Sequence, residues 1–196
     1  MDAATYDRWY ETPRGQWIGQ REAALVLDGL QPHSGESLLD VGCGTGYFSR
    51  AIAGAIDVNV VAVDIRPDWV AYARGRDTGG SAYMVADARV LPYADKSFDL
   101  VVSILSLGFI PDEISVAREI HRVARRRVAI GLLNRRSLLW FQKGRNKGGG
   151  GYRGARWHTV REAKRLFPKR PLPRRSVRSA IQVPSGGRLA RSIEQL

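Results

Sequence analysis

Two hydrophobic periods alternate along this chain. From Gln16 the apolar residues Ile18, Leu25, Val26 and Leu30 recur near the helical period and stop at Gln31-Pro32, which predicts one amphipathic helix. Ahead of it, residues 6–17 are rich in aromatic side chains. Pro13 and Gly15 break any long helix there, so the stretch reads as an ordered arm. Residues 37–41 form a short apolar run that meets Gly42-Cys43-Gly44-Thr45-Gly46, followed by Phe48, Ala51 and Ile52 at helical spacing: strand, tight turn, helix. A β-branched run over 58–63 predicts a second strand ending in Asp64. Pro67 and Asp68 then open a helix that runs to about Arg76. Residues 82–86 predict a third strand ending in Asp87, and residues 98–104 a fourth, apolar enough to be buried on both faces. Pro111, Asp112 and Glu113 open a helix with the stripe Val116, Ala117, Ile120, Val123 and Ala124, and residues 128–133 predict a fifth strand.

Strands alternating with helices at this spacing imply an α/β fold: a Rossmann-like, doubly wound, mostly parallel sheet with helices on both faces. Past Asn134 the pattern loosens. A short helix is expected from Ser137, residues 144–154 read as a mobile, glycine-rich basic loop, and Thr159 with Glu162 forms a capping box. The helix it opens carries Val160, Ala163 and Phe167 on one face and ends at prolines 168, 171 and 173. Residues 176–183 are expected as a last strand, before Ser185-Gly186-Gly187 and a short basic tail. The chain therefore divides into an aromatic arm and helix (1–35), a Rossmann-like core (36–134) and a basic C-terminal region (135–196).

Composition narrows the class. The 196 residues are 44% hydrophobic and 26% charged, so a packed core rather than a disordered chain is expected. The longest apolar stretch, residues 100–110, falls short of the roughly 18 residues that a membrane span requires. The N-terminal residues MDAATYDRWYETP do not read as a secretory signal, and a cytoplasmic location is expected. One cysteine, Cys43, excludes a disulfide framework and a thiolate metal cluster. The net charge of +12 is unevenly spread: residues 1–117 carry 9 Lys/Arg against 16 Asp/Glu, a balance of −7, and residues 118–196 carry 22 against 3, a balance of +19. That cationic third either faces an anionic partner or is solvated surface.

In an open α/β sheet the ligand lies beyond the carboxyl ends of the strands, near the point where strand order reverses. The glycines of Asp40-x-Gly42-x-Gly44-x-Gly46 let the backbone turn sharply and approach a ligand, and the helix that follows offers free N–H groups. Asp64, at the second strand end, suits two ribose hydroxyls, and Asp87, at the third, the amine of an adenine.

LLDVGCGTGYF (38–48), VVAVDI (60–65), YMVADARVLPYADKSFDLVVS (83–103) and EISVAREIHRVARRRVAIGLLN (113–134) together resemble class I S-adenosylmethionine-dependent methyltransferases, closest to the branch called type 11. The resemblance implies S-adenosylmethionine as cofactor and S-adenosylhomocysteine as product. It also implies that Asp40 and the turn of Gly42, Cys43, Gly44 and Gly46 hold the methionine part, that Asp64, with Ile65 beside it, holds the ribose, and that Asp87 with Ala88 holds the adenine. Ser103 matches a position bordering the methyl-transfer site. A nicotinamide dinucleotide fits less well, because Asp40 would repel a pyrophosphate and the turn is G-x-G-x-G rather than G-x-G-x-x-G.

Methyl transfer needs chiefly alignment and exclusion of water, so a base is optional. His158 is the candidate, set against a purely structural histidine. Tyr6, Trp9, Tyr10 and Trp17 read either as a lid over the cofactor or as packing on the sheet edge. Ser103-Ile104-Leu105-Ser106 lacks the Asn/Asp-Pro-Pro-aromatic signature of nucleic-acid amino-methyltransferases, Cys43 is misplaced for cytosine C5 chemistry, and no acidic set follows the fourth strand to hold magnesium. The expected acceptor is a small molecule. RNA, reached through Arg125-Arg126-Arg127, residues 143–156 and 164–178 with Tyr152 and Trp157 for stacking, stays open, as does a non-catalytic cofactor-binding subunit. If the basic third is instead solvated surface, Arg125 to Arg127 only occupy a helix C-terminus, where cations suit the dipole. The family ends its sheet with two further strands where this chain offers one, so an open edge or a homodimer is expected.

Overall fold

The computed structural model describes residues 1–145, 150–167, 176–179 and 187. Its elements are α1 (Ala3–Trp9), α2 (Pro13–Leu30), β1 (Ser37–Val41), α3 (Tyr47–Ala55), β2 (Asn59–Asp64), α4 (Pro67–Arg76), β3 (Ala82–Val85), β4 (Phe98–Ile104), α5 (Glu113–Val123), β5 (Ala124–Gly131) and α6 (Val160–Leu166). The five strands form one parallel sheet in the order β3-β2-β1-β4-β5. The order reverses between β1 and β4, which places the switch point beside the glycine turn.

Strand period two sorts the core onto two faces. Leu38, Val60, Leu100 and Val102 meet Val26 and Leu30 of α2 and Phe48 and Ile52 of α3 on one side. Leu39, Val41, Val63 and Val101 meet Val116, Ile120 and Val123 of α5 on the other. α4 covers the outer strands through Val70 and Ala73 against Ala62 and Tyr83. The doubly wound sheet expected from the pattern is thus present.

Two expectations are corrected. The arm is helical: Pro13 takes the first turn of α2 behind the Thr12 cap, where a missing N–H costs nothing. Gly15 is there because α2 starts against the end of α1, and a Cβ would lie 1.9 Å from the Trp9 carbonyl oxygen. Second, Arg125, Arg126 and Arg127 do not cap a helix. Ala124 is already extended, the fifth strand starts there rather than at 128, and these arginines ride on it. Arg125 pairs with Asp99, Arg126 with Glu36 at 2.5 Å, and Arg127 donates to the Gly29 carbonyl. The short helix expected from Ser137 is present, continuing as a π-helix over Trp140–Gly144 with Ser137 capping Trp140.

The capping box opens α6 as expected, with Thr159 and Glu162 bonded reciprocally. Residues 176–179 are not in a strand, while 180–183, prolines 168, 171 and 173, residues 146–149 of the glycine loop and most of the basic tail lie outside the described residues. Among the described residues, β5 is the sheet edge, and no helix is long and apolar enough to cross a membrane.

Candidate functional site

At the end of β1 the chain turns through three left-handed glycines, Gly42 (φ 76°), Gly44 (φ 58°) and Gly46 (φ 76°). Two of them are fixed by close approach as well. A Cβ on Gly42 would fall 2.4 Å from Ser106 across the switch point, and one on Gly46 would fall 2.9 Å from the Tyr83 ring. The Gly42 and Cys43 amides donate to the Val63 carbonyl at 2.8 and 3.0 Å, so the turn is pinned to β2.

The strand-end acids have different surroundings. Asp64 accepts from the Gly44 amide at 2.9 Å and from the Arg66 amide at 3.0 Å, one bond per oxygen. Each carboxylate oxygen retains a lone pair for a hydroxyl. Asp87 is held by its neighbour Arg89, whose guanidinium and amide reach both oxygens at 2.6–3.1 Å and hold the carboxyl below its usual range. An adenine amine would share this carboxylate with Arg89. Asp40 points the other way, into the face covered by α3, where Ser49 donates to it at 2.6 Å. Burial, with the Asp64 charge nearby, pushes its pKa up to about 6 despite that bond. Burial likewise raises the Cys43 thiol, leaving it protonated and poorly nucleophilic.

Ser103 is fully buried, and its hydroxyl contacts the Val41 carbonyl at 2.7 Å and Ser106 Oγ at 2.6 Å. It ties β4 to the turn rather than facing open space. Ala88 is buried in the α5-side core. Ile65, Met84 and Val85, at 59, 43 and 51% exposure, form an apolar rim along the ends of β2 and β3 between Asp64 and Asp87.

Apart from these strand ends lies a cavity of about 1610 Å³, walled by the N-terminal helices, Leu105 and Phe109 after β4, Val128 and Ile130 of β5, and Trp157-His158. Neither the glycine turn nor the three strand-end acids line it. The two spaces share a partition. The Tyr6 ring of the cavity wall sits 5.2 Å from the Trp69 ring, which lies over Gly44, and Leu105 precedes the Ser106 that abuts Gly42. Leu105 is itself left-handed (φ 61°), a strained conformation for a side chain of its size. The aromatic arm therefore packs against α3 and α4 beside the turn: Tyr10 stacks on Tyr47 at 3.7 Å, while Trp17 is only half-buried.

His158 is 4% exposed. Its backbone joins the sheet end, donating to the Leu133 carbonyl at 2.8 Å in a parallel bridge with Asn134. Nε2 lies 2.8 Å from Glu113 Oε2, while Nδ1 is enclosed without a partner. Facing a carboxylate, Nε2 is the donor of this pair. Glu113 also pairs with Arg156 at 3.0 Å. Trp157 is 6% exposed, so it is wall rather than a stacking surface for a nucleic acid.

Sequence reasoning missed two acids, Asp7, which is buried, and Glu22, which is partly buried with its Oε2 enclosed. Asp7 anchors α1: it accepts from Thr45 of the turn at 2.8 Å and from Arg50 at 3.2 Å, with Tyr72 and Arg76 close by. Glu22 lies on α2, and its pKa is pushed up to about 7 by burial alone. Its signal was in the chain, since Ile18, Glu22 and Val26 follow at four-residue steps on the buried stripe. Asp7 had no such mark beyond its place among aromatics.

The profile of the family described as "Methyltransferase domain" matches residues 39–130, which span the turn, both switch-point strands and α5. The core of this chain belongs to the class I S-adenosylmethionine-dependent methyltransferases. The methyltransferase core is 36% identical over 123 residues to malonyl-[acyl-carrier protein] O-methyltransferase of Pectobacterium atrosepticum, covering 63% of this chain and 46% of that protein. It is 38% identical over 113 residues to 27-O-demethylrifamycin SV methyltransferase of Amycolatopsis mediterranei, covering 54% and 42%. The chain thus spans about half the length of the curated relatives it matches. In fold it is similar to a Thermotoga maritima protein described as an S-adenosylmethionine-dependent methyltransferase, possible histamine N-methyltransferase, with a TM-score of 0.68 and 23% identity over 84% of this chain and 74% of that one.

The cofactor that this family implies fits the groups at the switch point. Asp64 has lone pairs for two hydroxyls, the apolar rim beside it suits a flat base, and three left-handed glycines keep the turn free of side chains. The enclosed Trp69 Nε1, without a partner, adds a donor at the same turn.

Proposed function

We propose that this chain transfers a methyl group from S-adenosylmethionine to a small-molecule acceptor held in the aromatic cavity. The observation that carries the reading is the shared partition: a cleft suited to a nucleoside and a cavity suited to an organic acceptor meet across Tyr6-Trp69 and Leu105-Ser106. When bound, S-adenosylmethionine supplies a methyl group activated by a sulfonium. The rest falls to the protein. Asp64 orients the ribose, the Gly42–Gly46 turn with Cys43 admits the methionine part against backbone, and Ile65 with the neighbouring rim and Ala88 borders the adenine, whose amine Asp87 shares with Arg89. Asp40 and Ser103 act behind these groups, Asp40 by fastening α3 through Ser49 and Ser103 by fastening β4 to Val41. The helical arm excludes water.

His158 receives the acceptor's proton at Nδ1 while Glu113 holds Nε2–H and so fixes the tautomer. Support for a small acceptor over RNA comes from the basic third itself. Arg122, Arg125, Arg126, Arg135 and Arg156 are each paired with a carboxylate of this chain. The test is S-adenosylhomocysteine formation from S-adenosylmethionine with panels of phenols, carboxylic acids and amines, then with RNA. Turnover with a small acceptor, reduced at least 10-fold in kcat by His158→Gln with cofactor binding intact, is expected; turnover with RNA alone contradicts the reading, and binding without any turnover identifies a non-catalytic subunit.

A further inference from the structure

Glu22 leaves α2 on the buried stripe of Ile18 and Val26 and reaches the wall of the acceptor cavity. Its Oε2 is enclosed by protein and meets no hydrogen-bond donor. The rings of Tyr6, Tyr10 and Tyr152 line the same cavity; burial raises the hydroxyl pKa of each, and the Glu22 charge adds to it. Tyr152 in turn stands 5.7 Å from the Trp157 ring, so one aromatic wall runs from Glu22 toward His158. Among the described residues six cationic side chains also border the cavity, Arg14, Arg126, Arg127, Lys143, Lys164 and Arg178, of which Arg126 pairs with Glu36 and Arg178 with Asp28. Arg14 acts on Tyr152, yet burial stands unopposed in setting the Glu22 carboxyl. A buried carboxylate without a donor or a counter-charge is costly, and native structures keep few such groups.

We propose that Glu22, framed by Tyr6, Tyr10 and Tyr152, is a recognition subsite for a protonated amine on the methyl acceptor. An ammonium supplies what the site lacks. It carries one positive charge and three donors, enough for the carboxylate and a tyrosine oxygen, and it is attracted to the faces of the surrounding rings. A neutral hydroxyl satisfies Oε2 without compensating the charge, and an acceptor carboxylate meets repulsion here. The inference rests on the reading of the cavity as the acceptor site, and it adds the chemistry at one end of that acceptor.

The test titrates the full chain with phenethylamine and with its neutral counterpart 2-phenylethanol by calorimetry, with and without saturating S-adenosylhomocysteine. The amine should bind at least 10-fold more tightly than the alcohol, and Glu22→Gln should abolish that preference while leaving the alcohol's affinity unchanged. Equal affinities in the native chain, no binding of either probe, or a preference that survives in Glu22→Gln overturns the proposal. Melting curves keep the variant interpretable: should Glu22→Gln not fold, an amine-specific rise in the native chain's melting temperature, absent with the alcohol, supports the subsite and its absence overturns it. Loss of S-adenosylhomocysteine binding with the amine preference intact would instead overturn the methyltransferase reading and leave the subsite standing.

Discussion

A buried acid acts at the residue scale by where its proton sits. Glu22 has a folded pKa of about 7 against an ordinary 4.5, so between those values the folded state holds more protons than the unfolded one. Its contribution to stability therefore falls as pH rises through that window and levels off above it. Glu22→Gln removes the effect: urea titrations should show no gain over the native chain near pH 4 and a gain approaching about 3 kcal/mol by pH 8. A constant difference across pH would show that the carboxyl titrates in the folded chain as it does in the unfolded one. The dyad at His158 makes a second claim at this scale. Glu113→Gln keeps the contact and removes the charge, so it should lower kcat with little change in KM. The glycine turn and the strand-end acids were legible because strand period and turn chemistry are local. The pairing of His158 with Glu113 was not, since the two are 45 residues apart and nothing at either position marks the other.

Elements carry these residues through a few close contacts. Gly42 is the clearest: its left-handed backbone and its fit against Ser106 both exclude a side chain. Gly42→Ala should cost about 2 kcal/mol or more in urea unfolding, since strain and overpacking add, and Ser106→Gly, by opening room for the methyl, should recover part of the loss. α1 depends on Asp7 in the same way. Asp7→Asn leaves Arg50 without its buried counter-charge, for which about 3 kcal/mol is the expected loss, and limited proteolysis should then cut within residues 1–12. The course of residues 124–131 shows where sequence patterns stop informing. An arginine triplet after an amphipathic stripe reads as a helix end, and only the register of β4 against β5, with Asp99 and Glu36 in reach, turns it into a strand.

For the whole molecule, the alternation of strands and helices was enough to give a doubly wound parallel sheet, because each βαβ unit closes one way. It could not give the acceptor cavity, whose wall brings together the N-terminal helices, β5 and Trp157-His158 from opposite ends of the chain. Charge segregation was equally visible and less informative, as several of the basic residues proved to be ion-paired within the chain. The central claim is that the cleft at the switch point holds a methyl-donor nucleoside through Asp64. The most direct measurement is calorimetric titration of the full chain with S-adenosylhomocysteine and NADH, repeated on Asp64→Ala. Micromolar binding of the first, none of the second, and at least a 10-fold loss in the variant is the predicted result; no binding of S-adenosylhomocysteine, or binding indifferent to Asp64, would contradict it.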